Sequence, residues 1–168
     1  LYMFNEEKLQ QWLKYMSERP DEFPAYVSWF HGVTHWEHVE KFGLMMAKEC
    51  PGADTDVIRW FAYIHDCRRG TEGWCEEHGR IAAKFIAKIR NTFLSDLSDE
   101  QITILRLACR SHTVKRRTKE ITADIYLDAD RLDLYRVGIK PDPKLMASEI
   151  GKRYAEIPYE ELTKKAKI

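Results

Sequence analysis

Four histidines and two aspartates carry the chemistry of this chain, and five of the six fall in phase with a run of apolar residues. His35 repeats with Val39, Phe42 and Met46 at i, i+4, i+7 and i+11, the spacing of one helix face. His65 aligns with Val57, Phe61 and Ile64, and Asp66 follows it directly. His78 aligns with Ala82, Phe85 and Ile89, and His112 with Ile102, Leu105 and Cys109. Asp130 lies between Leu127 and Leu134 on the face that also holds Ala123. A lone histidine on such a face reads as a satisfied core residue. Four imidazoles and two carboxylates turned towards one interior must satisfy each other at a large desolvation cost, or share a cation. Imidazole and carboxylate suit Zn, Fe, Mn, Co or Ni, and carboxylate also suits Mg. Helical bundles build such metal sites from inward side chains on facing helices.

The elements that would carry these residues are helical almost throughout. A first helix is expected from a cap at Asn5 to near residue 17, ended by Arg19-Pro20. Residues 21–30 form an aromatic-rich connection with room for one short helix. A second helix covers about 33–49 and stops before Pro51-Gly52; a third starts near 53–56 and reaches His65-Asp66. The glycines of 68–73 make a loop, and a long helix follows over about 74–93. Ser98 and Gln101 have the form of a capping box, which starts a fifth helix that runs to about residue 111. After a polar loop at 115–120, a sixth helix spans about 121–136; residues 140–144 break the pattern, and one or two short helices follow. No segment alternates with period two. The expectation is an all-α single domain over 1–168, with its motif-bearing core at about 30–147 and short helical extensions at both ends.

Composition narrows the partners. The 168 residues are 44% hydrophobic, enough for one sizeable core. Lys+Arg and Asp+Glu both number 27, so bulk charge supports neither general nucleic-acid binding nor a membrane-surface role. There is no signal-peptide pattern and no apolar run near the roughly 18 residues of a membrane span. Cys50, Cys67, Cys75 and Cys109 form no C-x-x-C pair, which fits a reduced, cytoplasmic protein, and a homodimer is compatible with all of this. The same spacing argues against a structural zinc held by Cys67, Cys75, His65 and His78. Trp29, Trp36, Trp60 and Trp74 read as core or pocket wall rather than as a stacking platform for bases.

In order, His35, His65-Asp66 and Asp130 resemble the H…HD…D signature of the HD-domain superfamily, metal-dependent phosphohydrolases with a helical fold. The strings "HGVTHWEHV" (31–39), "FAYIHDCRR" (61–69) and "DADRLDL" (128–134) carry the resemblance. They are most similar to small stand-alone HD proteins with "HGxxHW", "HDxRR", "EHG" and "DADRLDLxRVGI", a subgroup without a settled substrate. His38 stands where that pattern has arginine. The resemblance implies an HD-type bundle with His35, His65, Asp66 and Asp130 as ligands of an interior metal, Asp130 rather than Asp128 being the ligand. It also implies two roles for His78 and His112. They hold a second ion bridged by Asp66, or they touch substrate phosphate and donate protons, which would make Asp66, His78 and His112 catalytic.

One or two divalent ions held there would make hydroxide available near neutral pH, as hydrolysis of a small phosphate ester or nucleotide-like compound requires. The charge that develops needs fixed cations. Arg68 and Arg69, just past the ligand pair, are placed to supply them, since a guanidinium fork fits phosphate oxygens bidentately. Lys115, Arg116 and Arg117 follow His112, and Arg131 follows Asp130. Their plainer readings are a solvated loop for the first five and, for Arg131, a pair with Asp128 or Asp133. His31, four residues before His35, either faces the site or fixes the helix entry. Two other functions fit the same ligands: a di-iron oxygenase of the HD fold, and a non-catalytic metal- or nucleotide-binding regulatory domain.

Overall fold

The computed structural model describes residues 3–168 and is all-helical, with no strand among them. Helix α1 (Glu6–Ser17) starts where the Asn5 side chain accepts from the Lys8 N–H at 3.1 Å, and it buries Leu9, Trp12 and Met16. Trp12 then donates from Nε1 to the Tyr63 carbonyl at 3.0 Å, two residues before His65. Phe23, Phe85 and Phe93 pack around the Trp12 ring, so α1 and its aromatic cluster back the turn that carries the His-Asp pair. The 21–30 connection contains one 3₁₀ turn (Pro24–Val27), as its sequence allows.

Helices α2 (Val33–Ala47), α3 (Thr55–Ala62), α5 (Asp99–Ser111) and α6 (Ile121–Leu132) surround the interior, with α4 (His78–Ile89) laid along α5. α2 buries His35, Trp36, Val39, Phe42 and Met46, the face expected from its spacing. α3 and α6 are buried on most sides, and Asp130 near the end of α6 keeps part of its carboxylate open to solvent. The Ser98–Gln101 capping box forms in both directions, at 2.9 and 3.1 Å, and sets the start of α5. Two further helices, α7 (Glu149–Ala155) and α8 (Tyr159–Ala166), close the chain against α6 and α2.

The third helix is shorter than expected, and the reason bears on the site. It ends at Ala62, and Tyr63–Arg68 run on as tight turns. The His65 ring donates from Nδ1 to the Phe61 and Ala62 carbonyls, at 3.1 and 3.0 Å, so the imidazole itself satisfies the helix end. In a continuing helix, neighbours point about 100° apart; the tightened turn lets His65 and Asp66 both face inward. Two other elements also differ from expectation. α4 starts only at His78, because 71–77 is irregular. α6 passes at Leu132 into a 3₁₀ turn (Asp133–Val137) that ends on Gly138, whose φ of 77° suits glycine.

The closest backbone approach near the site lies between α4 and α5. A Cβ on Gly79 would stand 2.4 Å from the Cys109 carbonyl oxygen and 3.0 Å from two atoms of the His112 ring. Gly79→Ala is therefore expected to destabilise the fold by about 2 kcal/mol through overpacking. It should also tilt His112, and with it only one side of the centre. Denaturant unfolding of the variant beside wild type measures this, and equal midpoints would contradict the close approach.

Candidate metal centre

All six residues converge. On one side, His35 Nε2 lies 3.0 Å from Asp130 Oδ1 and 3.6 Å from Asp66 Oδ2. His65 Nε2 lies 3.3 Å from His35 Nε2, 3.5 Å from Asp66 Oδ2 and 3.7 Å from Asp130 Oδ1. On the other side, Asp66 presents its second oxygen. Oδ1 lies 2.9 Å from His78 Nε2 and 3.4 Å from His112 Nε2, and those two nitrogens are 3.0 Å apart. One carboxylate thus joins two sets of donors, each gathered closely enough to hold a metal ion.

The outer ring nitrogens decide what these donors can bind. His35 Nδ1 donates to Asp133 Oδ2 at 2.7 Å, His78 Nδ1 to the Cys75 carbonyl at 2.8 Å and His112 Nδ1 to the Cys109 carbonyl at 2.6 Å. His65 Nδ1 serves the two carbonyls at the end of α3. Carbonyls and carboxylates only accept, so each Nδ1 carries the hydrogen and each neutral ring turns a bare Nε2 inward. Four lone pairs and two carboxylates facing one another repel unless a cation lies among them. This orientation by an outer acceptor is the arrangement that metal-ligating histidines need. The residues present therefore fit a divalent transition metal.

Burial works against a charged Asp66, yet His65, His112, His31 and His78 around it hold its carboxyl well below the usual range. Burial likewise opposes ionisation of Asp130, and His35 and His65 outweigh it. His65 is pushed towards its neutral form by burial but raised overall by Asp66 and Asp130, whereas burial dominates at His112 and lowers it. The Phe61 ring stacks on His65 at 4.8 Å and 11°, which fixes the imidazole plane.

The flanking cations divide. Arg69 reaches the centre: its Nη1 lies 3.3 Å from His78 Nε2, and Nε donates to the Thr71 carbonyl at 2.9 Å. Arg68 turns the other way, donating to the Glu22 carbonyl at 3.2 Å and covering the Phe85 ring at 5.0 Å. Arg131 takes the plainer of its two readings, with Nη1 3.6 Å from Asp128 Oδ1. Its guanidinium donates to the carbonyls of Arg116, Leu145 and Lys115 at 2.7, 2.9 and 2.6 Å, which ties the 115–116 loop to α6. Arg116 donates to the Lys144 carbonyl at 3.1 Å, while Lys115 lines a cavity beside His112. Asp128 is fully buried and accepts from the Ala147 and Ser148 N–H groups and the Ser148 hydroxyl, a structural role that leaves Asp130 to the centre.

Asp133 was not anticipated as part of the site. Fully buried, it accepts from His35 Nδ1 and, at 2.8 Å, from His38 Nδ1. Its pKa is held down by these two imidazoles against the effect of burial. His38 is thereby placed behind His35 rather than towards substrate. The signal lay in two pairs one turn apart, His35/His38 and Asp130/Asp133. His31 stands 3.7 Å from Asp66 Oδ2, and its Nδ1 is buried without a hydrogen-bond partner. Among the tryptophans, Trp36 and Trp60 are core, Trp74 lines the cavity beside His112, and Trp29 is 84% exposed. All four cysteines are free, and none belongs to a metal-holding group among the described residues. No helix among those residues is long and apolar enough to cross a membrane. No protein-family model, curated protein or solved structure matches this chain.

Proposed function

We propose that this chain is a metal-dependent phosphohydrolase of the HD-domain type, acting on a small phosphate ester at a two-ion centre. The observation that carries the reading is Asp66, whose two oxygens face two separate sets of inward Nε2 atoms. Divalent ions held by His35, His65, Asp66 and Asp130, and by Asp66, His78 and His112, would supply Lewis acidity that makes water nucleophilic near neutral pH and offsets phosphate charge. The chain's own groups do the rest. Arg69 stands beside His78 to bind a phosphate oxygen as negative charge develops. His31 Nδ1, free of other partners and beside Asp66, is placed to take up the proton that the attacking water loses.

The test is phosphate release by protein reloaded with Mn, Co, Ni, Mg or Fe, measured over a panel of phosphate esters. Turnover that depends on added ion supports the reading. Oxygen uptake with bound iron and no phosphate release would favour the di-iron oxygenase. Tight nucleotide binding with neither reaction would favour a regulatory domain. Arg69→Ala is expected to lower kcat/KM for phosphate esters about 100-fold with metal content unchanged. Unchanged steady-state kinetics would remove Arg69 from the site.

A further inference from the structure

Beside the second donor set lies a cavity of about 450 Å³ with His112 in its wall. Its rim holds three of the most exposed large apolar side chains of the protein, Trp74 at 88%, Val114 at 60% and Leu145 at 59%. Exposed apolar groups that converge on one concavity mark a surface built to be covered. The polar groups of the same wall are already engaged. Thr113 donates its hydroxyl to the Glu76 carbonyl at 2.8 Å, and Asp142 Oδ1 accepts from the Lys144 N–H at 2.9 Å. Arg131 gives guanidinium hydrogens to three carbonyls, and Arg116 gives one to the Lys144 carbonyl. Lys115 is the one cation of this wall without a partner among the described residues.

We infer that this cavity receives the leaving group of the ester and selects a flat, apolar one, such as an aryl alcohol, over a sugar or a polyol. The inference rests on the phosphohydrolase reading for its chemistry and on the cavity wall for its specificity. His112 belongs to both the wall and the donor set, with Nε2 3.4 Å from Asp66 Oδ1. A phosphate over the centre therefore points its ester oxygen into the cavity, with Lys115 beside it. In the reaction the oxygen of water bonds to phosphorus, the bond from phosphorus to the ester oxygen breaks, and the released alcohol carries a proton. A sugar would leave its hydroxyls unpaired against Trp74, Val114 and Leu145.

The experiment has two arms on the full chain reloaded with Mn. In the first, hydrolysis of 1-naphthyl phosphate and glycerol 2-phosphate is compared for wild type and Trp74→Ala. The naphthyl ester is expected to have at least a tenfold higher kcat/KM than the glycerol ester. Trp74→Ala should raise its KM about tenfold and narrow its preference over glycerol 2-phosphate. In the second arm, calorimetry measures binding of the non-hydrolysable naphthylmethyl phosphonate, expected to weaken about tenfold in Trp74→Ala. Phosphonate binding indifferent to Trp74, or a preference for the glycerol ester, overturns the inference. Release of phosphate from no ester, with Trp74-dependent phosphonate binding retained, overturns the phosphohydrolase reading and leaves the apolar subsite standing.

Discussion

Asp66→Ala should strip the metal from both halves of the centre at once, and phosphate release should fall by about 1,000-fold or more. His35 and Asp130 serve one side and His78 and His112 the other, whereas Asp66 Oδ2 and Oδ1 address both. The carboxylate is 3% exposed and ringed by imidazoles, so its removal also takes away the anion that holds those rings in register. Asp66→Asn separates the two effects, because it keeps the shape and one acceptor oxygen while losing the charge. Helical circular dichroism close to wild type, with metal content near zero by elemental analysis, is the expected pair of results for Asp66→Ala. Loss of one side's ion with the other retained at full occupancy would show that Asp66 serves only one set.

The second large effect is expected at a residue that would touch neither metal nor substrate. Asp133→Ala leaves the Nδ1–H groups of His35 and His38 without their acceptor, one of them fully inside the protein. Leaving a buried donor without its acceptor in this way costs about 1–3 kcal/mol in stability. It also frees the His35 ring to rotate or change tautomer, which lowers metal affinity by about 10- to 100-fold. Arg136 spans the same region, donating to the Asp133 carbonyl at 3.0 Å and to the Phe30 carbonyl at 2.6 Å, so the end of α6 is latched to the entry of α2. Urea unfolding and equilibrium metal binding measure the two consequences. Asp133→Asn should recover most of the stability but less of the affinity. A wild-type affinity in both variants would reduce Asp133 to a packing role.

The helices were legible in the sequence because each buried stripe repeats at helical spacing and the termini carry their caps. Asn5, Asp54 and Ser98 all accept the N–H groups that their positions imply. The inward set was legible for the same reason: phase along a stripe is a statement about direction. What lay beyond it depends on contacts between distant segments. The end of α3 is set by the His65 ring bonding back to its own helix, which propensity does not register. Arg68 and Arg69 are adjacent, yet one covers Phe85 and the other reaches His78, because the turn that sends Asp66 inward splits them to opposite sides. Arg131 looked free beside Asp130, but three carbonyls from 115–116 and 145 close around it. The Asp133 carboxylate that holds His35 was hidden because a buried carboxylate beside a ligand reads the same in sequence whether it binds metal or holds a histidine.

We propose that the four inward Nε2 atoms and two aspartates would hold two metal ions, with Asp66 serving both. Elemental analysis of protein purified without added metal, then dialysed against micromolar Mn(II), tests it most directly. The account predicts two ions per chain in wild type and none in Asp66→Ala, with both proteins helical. Wild-type protein that binds no ion, or an Asp66→Ala variant that keeps both, would contradict it.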